Sequence, residues 1–163
     1  MKKNIIIING TGGSGKDTFV YFCSKYCKVF NFSSIDKIKE VATLMGWDGG
    51  KTEKDRKFLA DLKLLSSNYN DMPFCSIKKS VDEFENSDKE IMFIHIREPY
   101  EIRRAKEEFK AKTLLIKRIG LDIIKSNISD ANVENYDYDF VIENDTLESF
   151  EKKAKEFIDK HLN

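Results

Sequence analysis

Cysteine, proline, histidine and arginine are all scarce in this chain of 163 residues, and each scarcity excludes something. Three cysteines, an odd number, do not make a disulfide framework, which points to the cytoplasm. Cys23 and Cys27 lie four apart on a predicted helix. With no histidine or further cysteine nearby they read as two half-buried thiols rather than metal ligands. Two prolines leave no proline-rich linker, and no repeat or low-complexity stretch interrupts the chain, so it reads as one domain over 1–163. The two histidines, His95 and His161, offer no acid–base pair, and His95 reads as a satisfied residue at a sheet edge. No apolar run approaches the length needed to cross a membrane, and Ile5 to Ile8 is too short for the core of a signal peptide. Net charge is also lacking, because 28 basic residues balance 28 acidic ones. That balance argues against a general binder of nucleic acid or of membrane surfaces. Only five basic residues are arginine: Arg56, Arg97, Arg103, Arg104 and Arg118. Arginine makes two-pronged contacts to phosphate, so these positions carry more information than the lysines.

What is present is 40% hydrophobic residues, enough for a core, arranged as strands alternating with helices. Asn4 to Asn9 is a continuous β-branched run of the kind buried on both faces. A helix is predicted from Ser14 to Tyr26, a short strand from Lys28 to Phe32, and a helix from Ser34 to Met45 stopped by Gly46. Thr52 caps the next helix, whose core face is Phe58, Leu59, Leu62 and Leu65, and a shorter helix begins near Ser76. Ile91 to Ile96 is a second buried strand, and Pro99 suits the first turn of the helix that follows. Thr113 to Lys117 and Asp139 to Glu143 are further strands. Asp145 and Glu148 form a capping pair for a last helix whose core face is Leu147, Phe150, Ala154, Phe157 and Ile158. Five strands separated by helices predict an α/β fold, a parallel sheet covered on both faces. Ligands of such sheets sit beyond the carboxyl ends of the strands. That directs attention to the loop at Gly10, to Ser33 and Ser34, to Arg97 and Glu98, to Arg118 and to Asn144.

The loop reads Gly10-Thr11-Gly12-Gly13-Ser14-Gly15-Lys16, between a buried strand and a helix. Glycines at 10, 12, 13 and 15 let backbone N–H groups converge on an anion, and the helix that begins at about Gly15 adds its positive end. Lys16 can then reach the outer phosphates of a nucleoside triphosphate. This is the pattern of a phosphate-binding loop, and it predicts the three-layer fold of P-loop NTPases. Gly10, Gly12, Gly13, Ser14, Gly15, Lys16, Asp17 and Thr18 are the candidate nucleotide ligands. One residue departs from the usual pattern. Where serine or threonine normally follows the lysine, the chain has Asp17, with Thr18 after it. A carboxylate is a good oxygen ligand for magnesium, so Asp17 is the candidate metal residue, and Thr18 is left for the α-phosphate.

The run Gly-Ser-Gly-Lys-Asp-Thr resembles the phosphate loop of the deoxynucleoside monophosphate kinases of phage type, within the wider nucleoside monophosphate kinases. Three further segments are similar to that family: His95-Ile96-Arg97-Glu98-Pro99 at the end of the third strand, Ile116-Lys117-Arg118, and Asp139 to Asp145. The resemblance implies ATP and Mg2+, a nucleotide acceptor, substrate-binding helices at about 33–86 and a lid at about 119–135. It implies catalytic roles for Lys16, Arg97 and Arg118, and places Asn144 beside the adenine. Ser33, Asp36, Arg56 and Arg97 are the implied acceptor contacts. Two departures stand out. His95 occupies a position where the family usually has aspartate. The lid has no arginine beyond Arg118, which leaves Lys125 or water to clamp phosphate there.

A monophosphate acceptor brings an oxygen that is already anionic, so it needs cations and no general base. The first alternative is a kinase acting on a hydroxyl, similar to dephospho-coenzyme A kinases, in which Asp36 would orient or deprotonate the acceptor. Asp36 also suits the first turn of a helix, where a negative charge complements the dipole. A second alternative is a P-loop protein that binds nucleotide without transfer. The expected partners are small nucleotides, with the chain a monomer or a homodimer. The lysines of the last helix, Lys152, Lys153 and Lys155, read as a solvated face.

Overall fold

Isoleucine-rich runs with no polar interruption form the middle of the sheet, because only a strand covered on both faces tolerates them. In the computed structural model, which describes residues 3–120 and 132–162, five strands lie in the order β2-β3-β1-β4-β5. They are β1 (Asn4–Asn9), β2 (Val29–Ser33), β3 (Ile91–His95), β4 (Lys112–Arg118) and β5 (Phe140–Asn144). The sheet is parallel, with Ile8 opposite His95 on β3 and Asn9 opposite Leu115 on β4. The β4–β5 register sets Arg118 beside Asn144. This order puts β1 at the centre, so the loop after Asn9 opens between the ends of β3 and β4.

The chain divides into two compact units, Met1–Asn31 with Phe84–Asn163, and Phe32–Glu83. In the first, Ile6 and Ile8 of β1, Ile91 and Phe93 of β3, and Leu114 and Ile116 of β4 share one sheet face. They pack with α1 (Lys16–Ser24) and α6 (Leu147–Leu162). Phe19 sits at the middle, its ring 5.5 Å from Phe150 and 5.7 Å from Phe157. Alternation along the strands turns Ile7 and Leu115 to the other face, where α5 (Pro99–Phe109) lies against β1 and β4 with Ile102 and Ala105 buried. Pro99 stands at the first turn of α5, as its missing N–H suits. Asp139 pins β5 to β4, accepting Thr113 N at 2.8 Å and Thr113 Oγ1 at 3.0 Å.

The second unit contains α2 (Asp36–Leu44), α3 (Glu53–Asn70) and most of α4 (Met72–Glu85). Thr52 caps α3 as expected, in a capping box with Asp55. The expected core face of α3 is only partly covered. Phe58, Leu59 and Leu62 are half-buried, and Leu65 is 67% exposed. Met45, predicted on the inner face of α2, is 62% exposed, and α2 buries Ile38 and Ala42. Helix α4 starts at Met72 and not near Ser76. Asp71 ends α3 at a φ of 56°, Asn70 Oδ1 accepts Met72 N at 3.1 Å, and Pro73 falls in the new first turn. At the last helix the capping differs from expectation. Thr146 Oγ1, not Asp145, accepts the Ser149 N–H, at 3.2 Å. Leu147, expected in the core, is 68% exposed and lines a cleft beside the loop after β1.

Candidate functional site

The loop that leaves β1 is shaped by contacts a side chain would destroy. A Cβ on Gly10 would lie 2.6 Å from the Ile116 carbonyl and closer still to Ser14 Oγ. Gly15 has a φ of 102°, and a Cβ there would meet Asn144 Nδ2 at 2.5 Å and Phe150 Cε1 at 3.3 Å. Gly12 and Gly13 are exposed on the outer part of the loop. Ser14 is fully buried, its N–H donating to Thr11 O at 3.1 Å and its carbonyl accepting Asn144 Nδ2 at 3.0 Å. Lys16 opens α1 and arches over the loop, with Nζ donating to Gly10 O at 2.5 Å and to Thr11 O at 3.1 Å.

Beside this loop lies a cleft of about 370 Å³. Gly13, Gly15, Lys16, Asp17 and Thr18 form one wall, Arg118 comes from the end of β4, and Asn144, Asp145 and Leu147 come from the β5–α6 turn. Helix α1 presents its first N–H groups here, with Lys16 and Arg118 adding cations, so the wall is built to receive anions. Arg118 Nη1 donates to Gly13 O at 3.3 Å, and Ile119 N donates to Asn144 O at 3.1 Å. These bonds fasten the loop, β4 and β5 to one another. The β5–α6 turn has its own brace. Asp145 accepts from Thr146 N at 2.8 Å, Lys153 Nζ at 3.0 Å and Ser149 Oγ at 3.2 Å. The Thr146 N–H, with Lys153 and Ser149, holds its carboxyl down at about 2. Lys153 also donates to Glu143 O at 2.8 Å, so it is a brace rather than part of a solvated face.

Two residues at the loop entrance escaped the sequence reading. Asn9 is fully buried, accepts Gly10 N on Oδ1 at 2.9 Å, and donates through Nδ2 to Arg97 O at 3.1 Å and to Tyr138 OH at 2.8 Å. Tyr138 OH donates in turn to Val133 O at 2.6 Å, and burial pushes its hydroxyl up to about 12. The available signal was an amide closing a strand made otherwise of isoleucine, at the strand's carboxyl end.

The remaining candidates divide. Arg97 emerges after β3, next to β1, with its side chain exposed and outside the cleft wall. His95 Nε2 pairs with Asn31 Oδ1 at 2.8 Å, so it has a partner as expected, but it closes the interior strand β3 and not an edge strand. Ser33, Asp36 and Arg56 belong to the other compact unit. There Asp36 Oδ2 accepts Ser33 N at 3.0 Å, which ties the turn into α2, and Arg56 is exposed on the first turn of α3. Of the expected lid, residues 121–131, with Lys125 among them, lie outside the described residues. At its edge Lys117 pairs with Glu134 at 3.1 Å.

Cys23 is buried, and burial raises its thiol. Cys27 is half-buried, held up at about 11 chiefly by burial, and donates to Cys23 O at 3.5 Å. Among the described residues no cluster of three histidine, cysteine or carboxylate side chains could hold a metal. No helix among them is long and apolar enough to cross a membrane.

Comparison with protein-family models and with curated proteins gives no match. Solved structures do match over nearly the whole chain. The protein TT1252 from Thermus thermophilus is 18% identical with a TM-score of 0.53, covering 100% of both chains. The tunicamycin resistance protein of Deinococcus radiodurans is 10% identical at 0.55, covering 96% of each. A sugar kinase from Janibacter sp. is 15% identical at 0.50, covering 97% of this chain and 95% of its own. At these identities the likeness is one of fold. What they share with this chain is the α/β architecture, a parallel five-stranded sheet with helices.

Proposed function

We propose that this chain is an ATP-dependent phosphotransferase that moves the γ-phosphate of ATP to a nucleoside or deoxynucleoside monophosphate. The observation that carries the reading is the cleft, where the N–H groups at the head of α1, Lys16 and Arg118 converge on one wall. Gly10 and Gly15 are packed too closely for any side chain, so at these two positions the loop can offer only backbone to a polyphosphate. Asn144, Asp145 and Leu147 on the opposite side suit the nucleoside end of ATP.

The residues fit magnesium as well as phosphate, since the carboxylate of Asp17 lies in the same wall as Lys16 and Thr18. Asp17 would hold the ion, directly or through water, and the bound metal would offset polyphosphate charge. Lys16 would follow the transferring phosphoryl group, and Thr18 would hold the α-phosphate. In the reaction an anionic oxygen of the acceptor phosphate attacks the γ-phosphorus in line. The bond to the β-phosphate oxygen breaks, and ADP leaves with that oxygen's electron pair. No proton has to be removed, so the reaction needs no general base. Arg97, at the end of the strand beside β1, would bind the acceptor's phosphate in two-pronged fashion. The carboxylate of Asp36 accepts a backbone N–H, which speaks against its serving as a general base for a hydroxyl acceptor.

The test has two parts. ATP is offered with a panel of mononucleotides and, separately, with sugars and other alcohols. Transfer is expected to the mononucleotides, and transfer to an alcohol alone refutes the acceptor assignment. Arg97→Lys, measured on the same protein for ATP and for acceptor, is expected to lose transfer while ATP affinity stays within about twofold, because a point charge cannot reproduce a fork. Wild-type transfer, or joint loss of both affinities, removes Arg97 from the acceptor site.

A further inference from the structure

We propose that Asn9 and Tyr138 act as a positioning pair that keeps the phosphate loop and Arg97 in register with each other. The proposal rests on the reading of Arg97 as the acceptor's phosphate contact.

Every side-chain proton of this pair is directed to a partner. Asn9 has no exposure, and a buried amide is unfavourable unless it is bonded. It is bonded on both atoms. Oδ1 takes the N–H of Gly10, the first residue of the loop, at 2.9 Å. Nδ2 supplies one proton to the carbonyl of Arg97 at 3.1 Å and one to Tyr138 OH at 2.8 Å. The Tyr138 hydroxyl has one proton to give and passes it to Val133 O at 2.6 Å. The bonds run in one direction, from amide to phenol to carbonyl, an arrangement in which each strengthens the next.

The three anchors belong to separate segments: the start of the phosphate loop, the exit of β3, and the stretch 133–138 that leads into β5. Hydrogen bonds within the sheet fix β1 against β3 as far as Ile8 and His95. Beyond that register the bond from Asn9 to the Arg97 carbonyl ties the loop's first residue to the residue that carries the guanidinium. Tyr138 accepts the amide's second proton, so the orientation of the Asn9 amide is set by the phenol. Because burial keeps the phenol protonated, the link has the same polarity across the pH range in which proteins work. Misplacing a reacting group by about 1 Å can cost on the order of a hundredfold in rate, so loss of one anchor should register in transfer before it registers in binding.

The experiment compares wild type, Tyr138→Phe, Asn9→Ala and the double variant. For each, ATP affinity, transfer kcat and acceptor KM are measured, with a thermal melt and amide exchange at Gly10. Tyr138→Phe keeps the ring and removes one hydroxyl. It is expected to lower kcat about tenfold with ATP affinity within about twofold, and to speed exchange at Gly10. The double variant should be no slower than Asn9→Ala within about twofold, because the two residues act through one chain of bonds. Losses in kcat that multiply, or ATP affinity falling by the same factor as kcat, overturn the proposal. If wild-type protein transfers phosphate to no mononucleotide, the functional reading fails on its own. Exchange at Gly10 then decides, and rates equal to wild type in both single variants overturn the pair as a tie.

Discussion

Replacing Gly15 with alanine is the sharpest test of how the phosphate loop is built, with Gly13→Ala as its internal control. Gly13 has a φ of 75° and open space around it, so alanine there meets only the backbone penalty of the left-handed region, about 1–2 kcal/mol. Gly15, at a φ of 102°, carries that penalty and two collisions besides. The new methyl would lie 2.5 Å from Asn144 Nδ2, which must swing away and give up its 3.0 Å bond to Ser14 O. Losing one such bond costs about 1 kcal/mol. Phe150, fully buried and 3.3 Å from the methyl, cannot retreat without leaving its rotamer, for roughly another 1 kcal/mol. Gly15→Ala should therefore cost about 3–4 kcal/mol and exceed Gly13→Ala by about 2 kcal/mol. Urea unfolding followed by circular dichroism measures both, and ATP titration should show the larger loss of affinity in Gly15→Ala. Equal destabilisation by the two substitutions would refute the idea that Asn144 and Phe150 close the loop from outside.

Three further outcomes are expected. Lys16→Ala should abolish transfer, by about a hundredfold or more, while the thermal melt stays close to wild type, because the lysine lies across a loop and fills no core. A folded variant with normal rates would end the loop's catalytic assignment. Asp17→Asn should weaken ATP binding more with magnesium than without it, since the carboxylate attracts the metal and repels the phosphates; equal effects in both conditions would place Asp17 away from the ion. Asp145 titrates near 2 when folded against a usual 3.8, so its bonds stabilise the protein above about pH 4, and that contribution fades as pH falls towards 2. Asp145→Asn should accordingly lower stability at neutral pH and flatten the acid limb in that window, and an unchanged acid limb would disprove the brace at the head of α6.

The sequence by itself determined the strands, most of the helices and the glycine-rich loop between β1 and α1, because these depend on neighbours along the chain. An all-isoleucine run must be covered on both faces, a glycine-rich turn before a helix must expose N–H groups, and Thr52 with Asp55 caps whatever helix follows. The helix patterns around Met45, Leu65 and Leu147 were legible too, but a pattern marks only which face is apolar. Whether another element covers that face depends on residues distant in sequence, and among the described residues these three side chains stay mostly exposed. Likewise Thr146 takes the Ser149 N–H at the start of α6, while Asp145 binds Thr146 N, Ser149 Oγ and Lys153. Only the tertiary structure could bring Arg118 beside Asn144, set both against the loop, and show Asn9 and Tyr138, 129 residues apart, sharing a hydrogen bond. Strand order decides those meetings, and strand order follows from how helices pack on the two faces, which no local pattern encodes.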